Sequence, residues 1–204
     1  MVIENITRLI YDWLCYDLVP VPICINLASG TLCHSRFHSI LHEILDKYPD
    51  AAPYLTFEIK SETFTQLGDD IYTYLGLIRA LGCHISLDGI DSTYFYLNDW
   101  TLPAVDFIKC DHEFLNVAMK THQHMSHFRH FIKLCDDCNI SVICGGIERQ
   151  DEENFVKNCK IDFVQGYFYA RPMPFDIFQK RYLEYNSITT KVSLLSPILL
   201  KKEA

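Results

Sequence analysis

Asn26, Glu58, Asp88 and Lys109 stand at or next to the ends of four short apolar runs: Pro22-Ile-Cys-Ile-Asn-Leu27, Tyr54-Leu-Thr-Phe-Glu-Ile59, Cys83-His-Ile-Ser-Leu-Asp88 and Val105-Asp-Phe-Ile-Lys-Cys110. An amide oxygen and two carboxylates are hard oxygen donors of the kind that hold Mg²⁺ or Mn²⁺. A lysine supplies positive charge for an anion that develops during a reaction. Burying such groups costs free energy unless they are paired. Four of them at four run ends therefore ask for one shared explanation.

The elements that must position these residues alternate regularly. Helical spacing covers 4–17, through Ile6, Leu9, Ile10, Trp13 and Leu14, and stops before Pro20 and Pro22. A helix over 33–48 follows the first apolar run, and helix over 61–81, interrupted at Gly68, follows the second. After the fourth run the spacing predicts helix over 113–138, a strand over 140–144, helix over 149–158, a short strand over 161–164 and a last helix over 174–185. Strands alternating with helices imply parallel βαβ units. In a barrel of such units, chemistry gathers at the carboxyl ends of the strands, where the four polar residues fall.

Composition narrows the function. The 204 residues suit one domain, expected over 1–185, with a separate apolar tail, 186–204, that contains Val192-Ser-Leu-Leu-Ser-Pro-Ile-Leu-Leu200. The tail reads either as a sticky end or as a cover for exposed apolar surface. A net charge of −8 argues against direct nucleic-acid binding, which needs a dense basic surface. No run is long enough to span a bilayer, and no secretory leader opens the sequence. Nine cysteines at irregular spacing read as reduced thiols in a cytoplasmic protein, with Cys24, Cys83, Cys110 and Cys144 as small core hydrophobes. Cys135-Asp-Asp-Cys138 lacks the second ligand pair of a zinc site. The histidines at 122, 124, 127 and 130, and those at 34, 38 and 42, read as solvated helix faces.

The strand ends, read with their neighbours, resemble the EAL family of cyclic-di-GMP phosphodiesterases. Cys24-Ile-Asn-Leu-Ala28 is similar to that family's V-N-L-S strand, Phe57-Glu-Ile-Lys-Ser-Glu62 to E-[IL]-T-E, and Ala80-Leu-Gly-Cys-His-Ile-Ser-Leu-Asp88 to A-L-G-x-x-[IL]-x-[LI]-D. Ile108-Lys-Cys-Asp-His-Glu-Phe114 resembles K-[IL]-D-x-x-F, Cys144-Gly-Gly-Ile-Glu148 resembles A-E-G-V-E, and Val164-Gln-Gly-Tyr-Phe-Tyr-Ala-Arg-Pro172 resembles Q-G-Y-x-x-x-[RK]-P. Six elements fall in family order over about 5–180. The resemblance implies a TIM-barrel-like (β/α) fold, metal-ligand positions at Asn26, Glu58 and Asp88, the catalytic-lysine position at Lys109, and further site positions at Glu148 and Gln165.

Three departures shape the functional expectation. The E-A-L segment falls by count before Met1, so the expected barrel lacks its leading strands and has about six. The family's Asp-Asp pair is Asp88-Gly89, with Asp91 too far along the loop to substitute, and the first glutamate of E-G-V-E is Gly145. Two-metal hydrolysis needs several oxygen donors around both ions. The expectation is therefore a degenerate domain that is not an enzyme, with no required cofactor beyond weak Mg²⁺ or Mn²⁺ binding and little binding of cyclic-di-GMP. Its survivors, Asn26, Glu58, Asp88, Lys109, Glu148 and Gln165, are expected to form an internal polar network, Lys109 pairing with Glu58 or Asp88. Similarity to stand-alone EAL-like anti-activators of the YdiV type implies transcription regulation by protein contact: binding the FlhD subunit of the flagellar master regulator FlhDC and repressing motility. The alternatives are a cyclic-di-GMP receptor that does not hydrolyse, and a residual phosphodiesterase.

Overall fold

The computed structural model describes residues 2–90, 104–161 and 163–184. Asp91 and the tail 186–204, including 192–200, lie outside the described residues.

Six strands form one parallel sheet in sequence order: β1 (Ile23–Asn26), β2 (Leu55–Lys60), β3 (His84–Ile90), β4 (Phe107–Cys110), β5 (Ser141–Cys144) and β6 (Phe163–Val164). With its surrounding helices it makes a half-barrel, the expected (β/α) architecture. Along each strand the helices α1 (Val2–Cys15), α2 (Ser29–Leu32), α3 (Phe37–Lys47), α4 (Ser61–Leu67), α5 (Asp70–Ala80), α6 (His112–Lys120), α7 (His122–Asp137), α8 (Gln150–Asn158) and α9 (Phe175–Phe178) alternate with the sheet as the apolar spacing requires. No helix among the described residues is long and apolar enough to cross a membrane.

Side-chain alternation sets the two faces. Phe57 of β2 meets Phe37 of α3 edge-on, with ring centroids 6.3 Å apart as aromatic pairs favour, so odd positions of β2 face the helices. Thr56 and Glu58 therefore face the concave side. The core between sheet and helices is continuous, from Ile10 and Trp13 through Leu55, Ile85, Ile108, Phe114 and Phe128 to Val156.

Two expected elements differ in detail. The predicted interruption at Gly68 is present: Gly68 has φ of 53° between α4 and α5. The helix expected over 113–138 is instead two helices, because Thr121 leaves helical geometry and its hydroxyl caps α7 by accepting from the His124 amide at 3.1 Å. Asp111 caps α6 in the same way, accepting from the Phe114 amide at 2.8 Å. The last helix is short, and the chain continues as π-helix over Gln179–Glu184.

At the open side of the sheet, the outer helices meet. Trp13 of α1 stacks on Phe175 of α9 with ring centroids 5.9 Å apart, and its indole N–H donates to Gln179 Oε1 at 3.3 Å.

Candidate active site

The register places the predicted residues at one end of the sheet. Asn26 of β1 is the neighbour of Glu58 on β2, and Asp88 of β3 is the neighbour of Lys109 on β4. Glu58 is 2% exposed, and its carboxylate accepts from Lys109 Nζ at 3.1 and 3.3 Å, one bond to each oxygen. The expected pairing of Lys109 with Glu58 is thus direct. Burial pushes the Glu58 carboxyl above the usual carboxylate range, partly offset by Lys109 and reinforced by the charge of Asp88. Asn26 is exposed at the strand end and Asp88 is half-buried.

Beneath this pair the concave face stays polar. Ser86, neighbour of Glu58 in register, is fully buried, and its Oγ has no hydrogen-bond partner among the described residues. Gln165, just past β6, likewise has a buried Oε1 without a partner. Its backbone is tied on both sides: its N–H donates to the Cys144 carbonyl at 2.8 Å, and its carbonyl accepts from the Ile147 amide at 3.0 Å. Gly166 makes that turn fit, because a Cβ there would overlap the Ile147 backbone.

Glu148 is not drawn into the cluster; it is exposed, beside Arg149. Its backbone is held instead by Glu152, which the sequence reading did not single out. Glu152 is fully buried, accepts from the Glu148 and Arg149 amides at 2.8 and 3.0 Å, and pairs with Arg149 Nη2 at 2.7 Å and His112 Nε2 at 3.0 Å. Burial opposes its charge, but these donors win and hold its carboxyl below the ordinary range. The signal was available: a glutamate three residues after a helix start is one half of a capping box.

The two glycines that replace family acids differ. Gly89 sits at a bulge between β3 and β4 with φ of 79°, left-handed backbone that side chains rarely adopt. Gly145 has no such constraint: a Cβ there would lie 3.6 Å from Lys109 Cε and 3.4 Å from the Cys110 carbonyl. Position 145 therefore looks onto the Glu58–Lys109 pair.

The remaining thiols and histidines are dispersed. All nine cysteines are free; Cys135 is buried on α7, while Cys138 is exposed at its end. His127 and His130 are exposed on α7, and His42 pairs with Asp46 at 2.9 Å. His38 stacks on Tyr74 with planes 4° apart, and burial lowers its pKa. Among the described residues, no three His, Cys, Asp or Glu side chains converge enough to hold a metal ion. The donor set at the strand ends is two carboxylates and an amide, hard oxygens that suit one Mg²⁺ or Mn²⁺ completed by water.

Comparison with known proteins agrees with this arrangement. The model of the EAL domain matches residues 1–172. Cyclic di-GMP phosphodiesterase PdeR of Escherichia coli is 22% identical over 184 residues, 90% of this chain and 28% of PdeR. Cyclic di-GMP phosphodiesterase PdeF of the same organism is 26% identical over 154 residues, 74% of this chain and 20% of PdeF. The FimX EAL domain of Xanthomonas citri, solved in complex with c-diGMP, superposes with a TM-score of 0.75 at 15% identity, over 85% of this chain and 68% of that one. The chain spans between 19% and 28% of the length of these and similar curated relatives.

The expectation that the chain is not an enzyme is overturned by these relatives, several of which are named cyclic di-GMP phosphodiesterases. That expectation rests on the E-A-L segment falling before Met1 and on the acids replaced by Gly89 and Gly145. With those departures, Glu58 and Lys109 are still in contact, with Asp88 and Asn26 beside them on neighbouring strands. Six strand-end motifs in order, a parallel half-barrel that carries them to one face, and a family match over 172 residues lead to one conclusion: this chain belongs to the EAL domain family.

Proposed function

We propose that this chain is a cyclic-di-GMP phosphodiesterase module that binds the dinucleotide at the carboxyl face of its sheet and opens one phosphodiester bond. The observation that carries the reading is the buried Glu58–Lys109 pair at the ends of β2 and β4. Lys109, 12% exposed and fixed by both oxygens of Glu58, presents a pre-oriented ammonium to the phosphate oxygens that gain charge as water attacks. Glu58, Asp88 and Asn26 would hold a divalent cation. Such a cation, when bound, lowers the pKa of water and polarises phosphoryl oxygens. Ser86 and Gln165 offer buried polar atoms with unmet hydrogen-bonding capacity on the same face. This reading departs from the expectation of little nucleotide binding because the relatives are named for that substrate.

The test is chromatography of cyclic-di-GMP incubated with the chain and Mn²⁺ or Mg²⁺. A linear dinucleotide is expected, and Lys109→Ala and Glu58→Gln each reduce its formation by about 10²–10³-fold, the usual cost of removing one charge-stabilising group. Absence of product with either metal sinks the reading.

A second reading, contact with a protein partner, is favoured by the sheet edges. Among the described residues β1 pairs only with β2, and β6 only with β5. Such edges expose backbone donors and acceptors that another chain can pair. FlhD, as a subunit of FlhDC, is the partner to try, with repression of motility as the consequence. Titration of purified FlhD into the chain tests it, and no saturable binding removes it.

A further inference from the structure

The chain that leaves β5 runs along one side of Lys109. Gly145 extends the ladder past the strand, its N–H donating to the Cys110 carbonyl at 2.8 Å, and a Cβ at 145 would lie 3.6 Å from Lys109 Cε. This segment walls the lysine stem, while Glu58 receives its tip. One residue on, Gly146 has φ of 77°, and a Cβ there would lie 2.6 Å from His112 Cβ. The chain therefore crosses directly against His112, the first residue of α6, where a residue without a side chain is needed. Glu152 fixes the crossing. Its Oε2 accepts from the Glu148 and Arg149 amides at 2.8 and 3.0 Å, and its Oε1 accepts from His112 Nε2 at 3.0 Å, 40 positions away in sequence. These donors keep Glu152 ionised against its burial, so it only accepts, and the proton of the histidine bond sits on Nε2. Asn116, one turn along α6, sets its amide nitrogen 3.3 Å from Nδ1, so the ring is held at both nitrogens.

We infer that His112 and Glu152 are positioning residues of this site: their bond clamps the 145–149 segment to the start of α6 and so keeps the Lys109 ammonium on Glu58. The clamp rests on geometry, and its consequence for catalysis rests on the phosphodiesterase reading above. A capping box accounts for the bonds from Glu152 to the Glu148 and Arg149 amides, which are local to the start of α8. It does not account for a bond to a different helix, nor for a carboxylate with no exposure that serves donors from two elements. Helix α6 follows β4 and α8 follows β5, so the clamp joins the two strand-to-helix turns that flank Lys109. In (β/α) architecture those turns are where a site is built. Lys109 is a long side chain with many rotamers, and a wall along its stem removes the ones that would take its charge away from Glu58.

Pulsed acetylation of the full chain with acetic anhydride, read lysine by lysine by mass spectrometry, reports on the clamp. The Lys109 side chain is 12% exposed and is expected to react slowly in the parent, with Lys133, 71% exposed on α7, as internal control. His112→Ala keeps the Cβ under Gly146 and removes the clamp. It is expected to speed Lys109 labelling about tenfold, the change in local opening that loss of one hydrogen bond to a charged group gives, and to leave Lys133 unchanged. His112→Gln, which keeps a side-chain N–H donor for Glu152, is expected to return Lys109 to within about twofold of the parent by the same reasoning. Asn116→Ala frees the ring at Nδ1 alone; it is expected to give about a threefold rise, and it carries the test if His112→Ala does not fold. Hydrolysis of cyclic-di-GMP with Mn²⁺ is expected to fall about 10²-fold in His112→Ala, the cost of misplacing a group by about 1 Å, and to recover in His112→Gln. Equal Lys109 labelling in parent and His112→Ala overturns the inference, as does a rise that His112→Gln fails to reverse. A parent that leaves the dinucleotide intact removes the phosphodiesterase reading instead, and Lys109 labelling then decides the clamp by itself.

Discussion

At the amino end of the sheet Asp106, just before β4, accepts from the Ile85 amide at 2.8 Å and from Arg79 Nη2 at 3.1 Å, with His84 Nδ1 3.8 Å away. At the carboxyl end Glu58 has Lys109 as its hydrogen-bond donor and Asp88 adding like charge. Both are carboxylates paired with cations on neighbouring elements. Burial works against both charges, yet His84, Ile85 and Arg79 hold Asp106 below the usual range, while Glu58 remains above it. The difference lies in donor number and in backbone participation. One end is satisfied and fastens β3 to β4. The other is left short of donors, and that shortfall is what a bound cation can fill.

The sharpest way to break the comparison is Lys109→Met. It strands a carboxylate whose side chain is 1% exposed and is expected to cost about 3 kcal/mol in urea unfolding at pH 8. The loss should shrink at acid pH. A raised folded pKa means the native state holds the proton more tightly, so Glu58's contribution is fully present below its unfolded pKa and is lost as pH rises through the folded value. A loss that does not vary with pH would contradict the pairing of Lys109 with the ionised Glu58.

Asp106→Asn is the opposite probe and is expected to cost about 2 kcal/mol near neutral pH, mainly through the Ile85 backbone bond. The Arg79 contribution is smaller because that side chain is 43% exposed. Its folded pKa is depressed, so the stability it provides is present above the unfolded carboxylate pKa and is lost as pH falls through the folded value. Parent and variant should converge in acid; parallel curves would contradict the assignment.

The two glycines at the functional end give a finer contrast. Gly89→Ala is expected to lower stability by about 1 kcal/mol, since φ of 79° is strained for any side chain. Gly145→Glu is expected to tighten Mn²⁺ binding, because its Cβ would lie 3.6 Å from Lys109 Cε, and to cost about 1 kcal/mol in the metal-free chain, because position 145 is buried against the Cys110 carbonyl. Calorimetry of both variants, with and without Mn²⁺, checks the pair. A Gly145→Glu chain that binds no more tightly would mean that this end is not short of donors.

Much of this was legible in one dimension. Alternating apolar runs and 3.6-residue spacing located the strands and most helices, and a polar residue at each strand end located the site. What escaped depended on partners distant in sequence. The helix expected over 113–138 splits because the Thr121 hydroxyl caps a new start more favourably than it continues the old helix. Asp106 sits inside an apolar run, and only the register of β3 and β4 shows that it accepts from Ile85. Cys24 read as a small hydrophobe, which its burial bears out, but its place two residues before Asn26 put it on the site face by strand alternation alone. Glu152 was visible as a helix-start glutamate, though its hold on His112 was not. The weight first given to Gly89 and Gly145 came from counting ligands along the chain, whereas donors act by convergence in space.

Trp13 and Gln179 lie 166 positions apart, and their contact joins α1 to the π-helical turn after α9. A chain emerging from the ribosome can pair β1 with β2 and β3 early, but the Trp13 indole gains its Phe175 stack only once α9 has been made. Contacts of such sequence separation are slow to form, because loop closure has to be overcome before they reward the chain. The aromatic stack of Trp13 on Phe175 is thus a late step in completing the half-barrel.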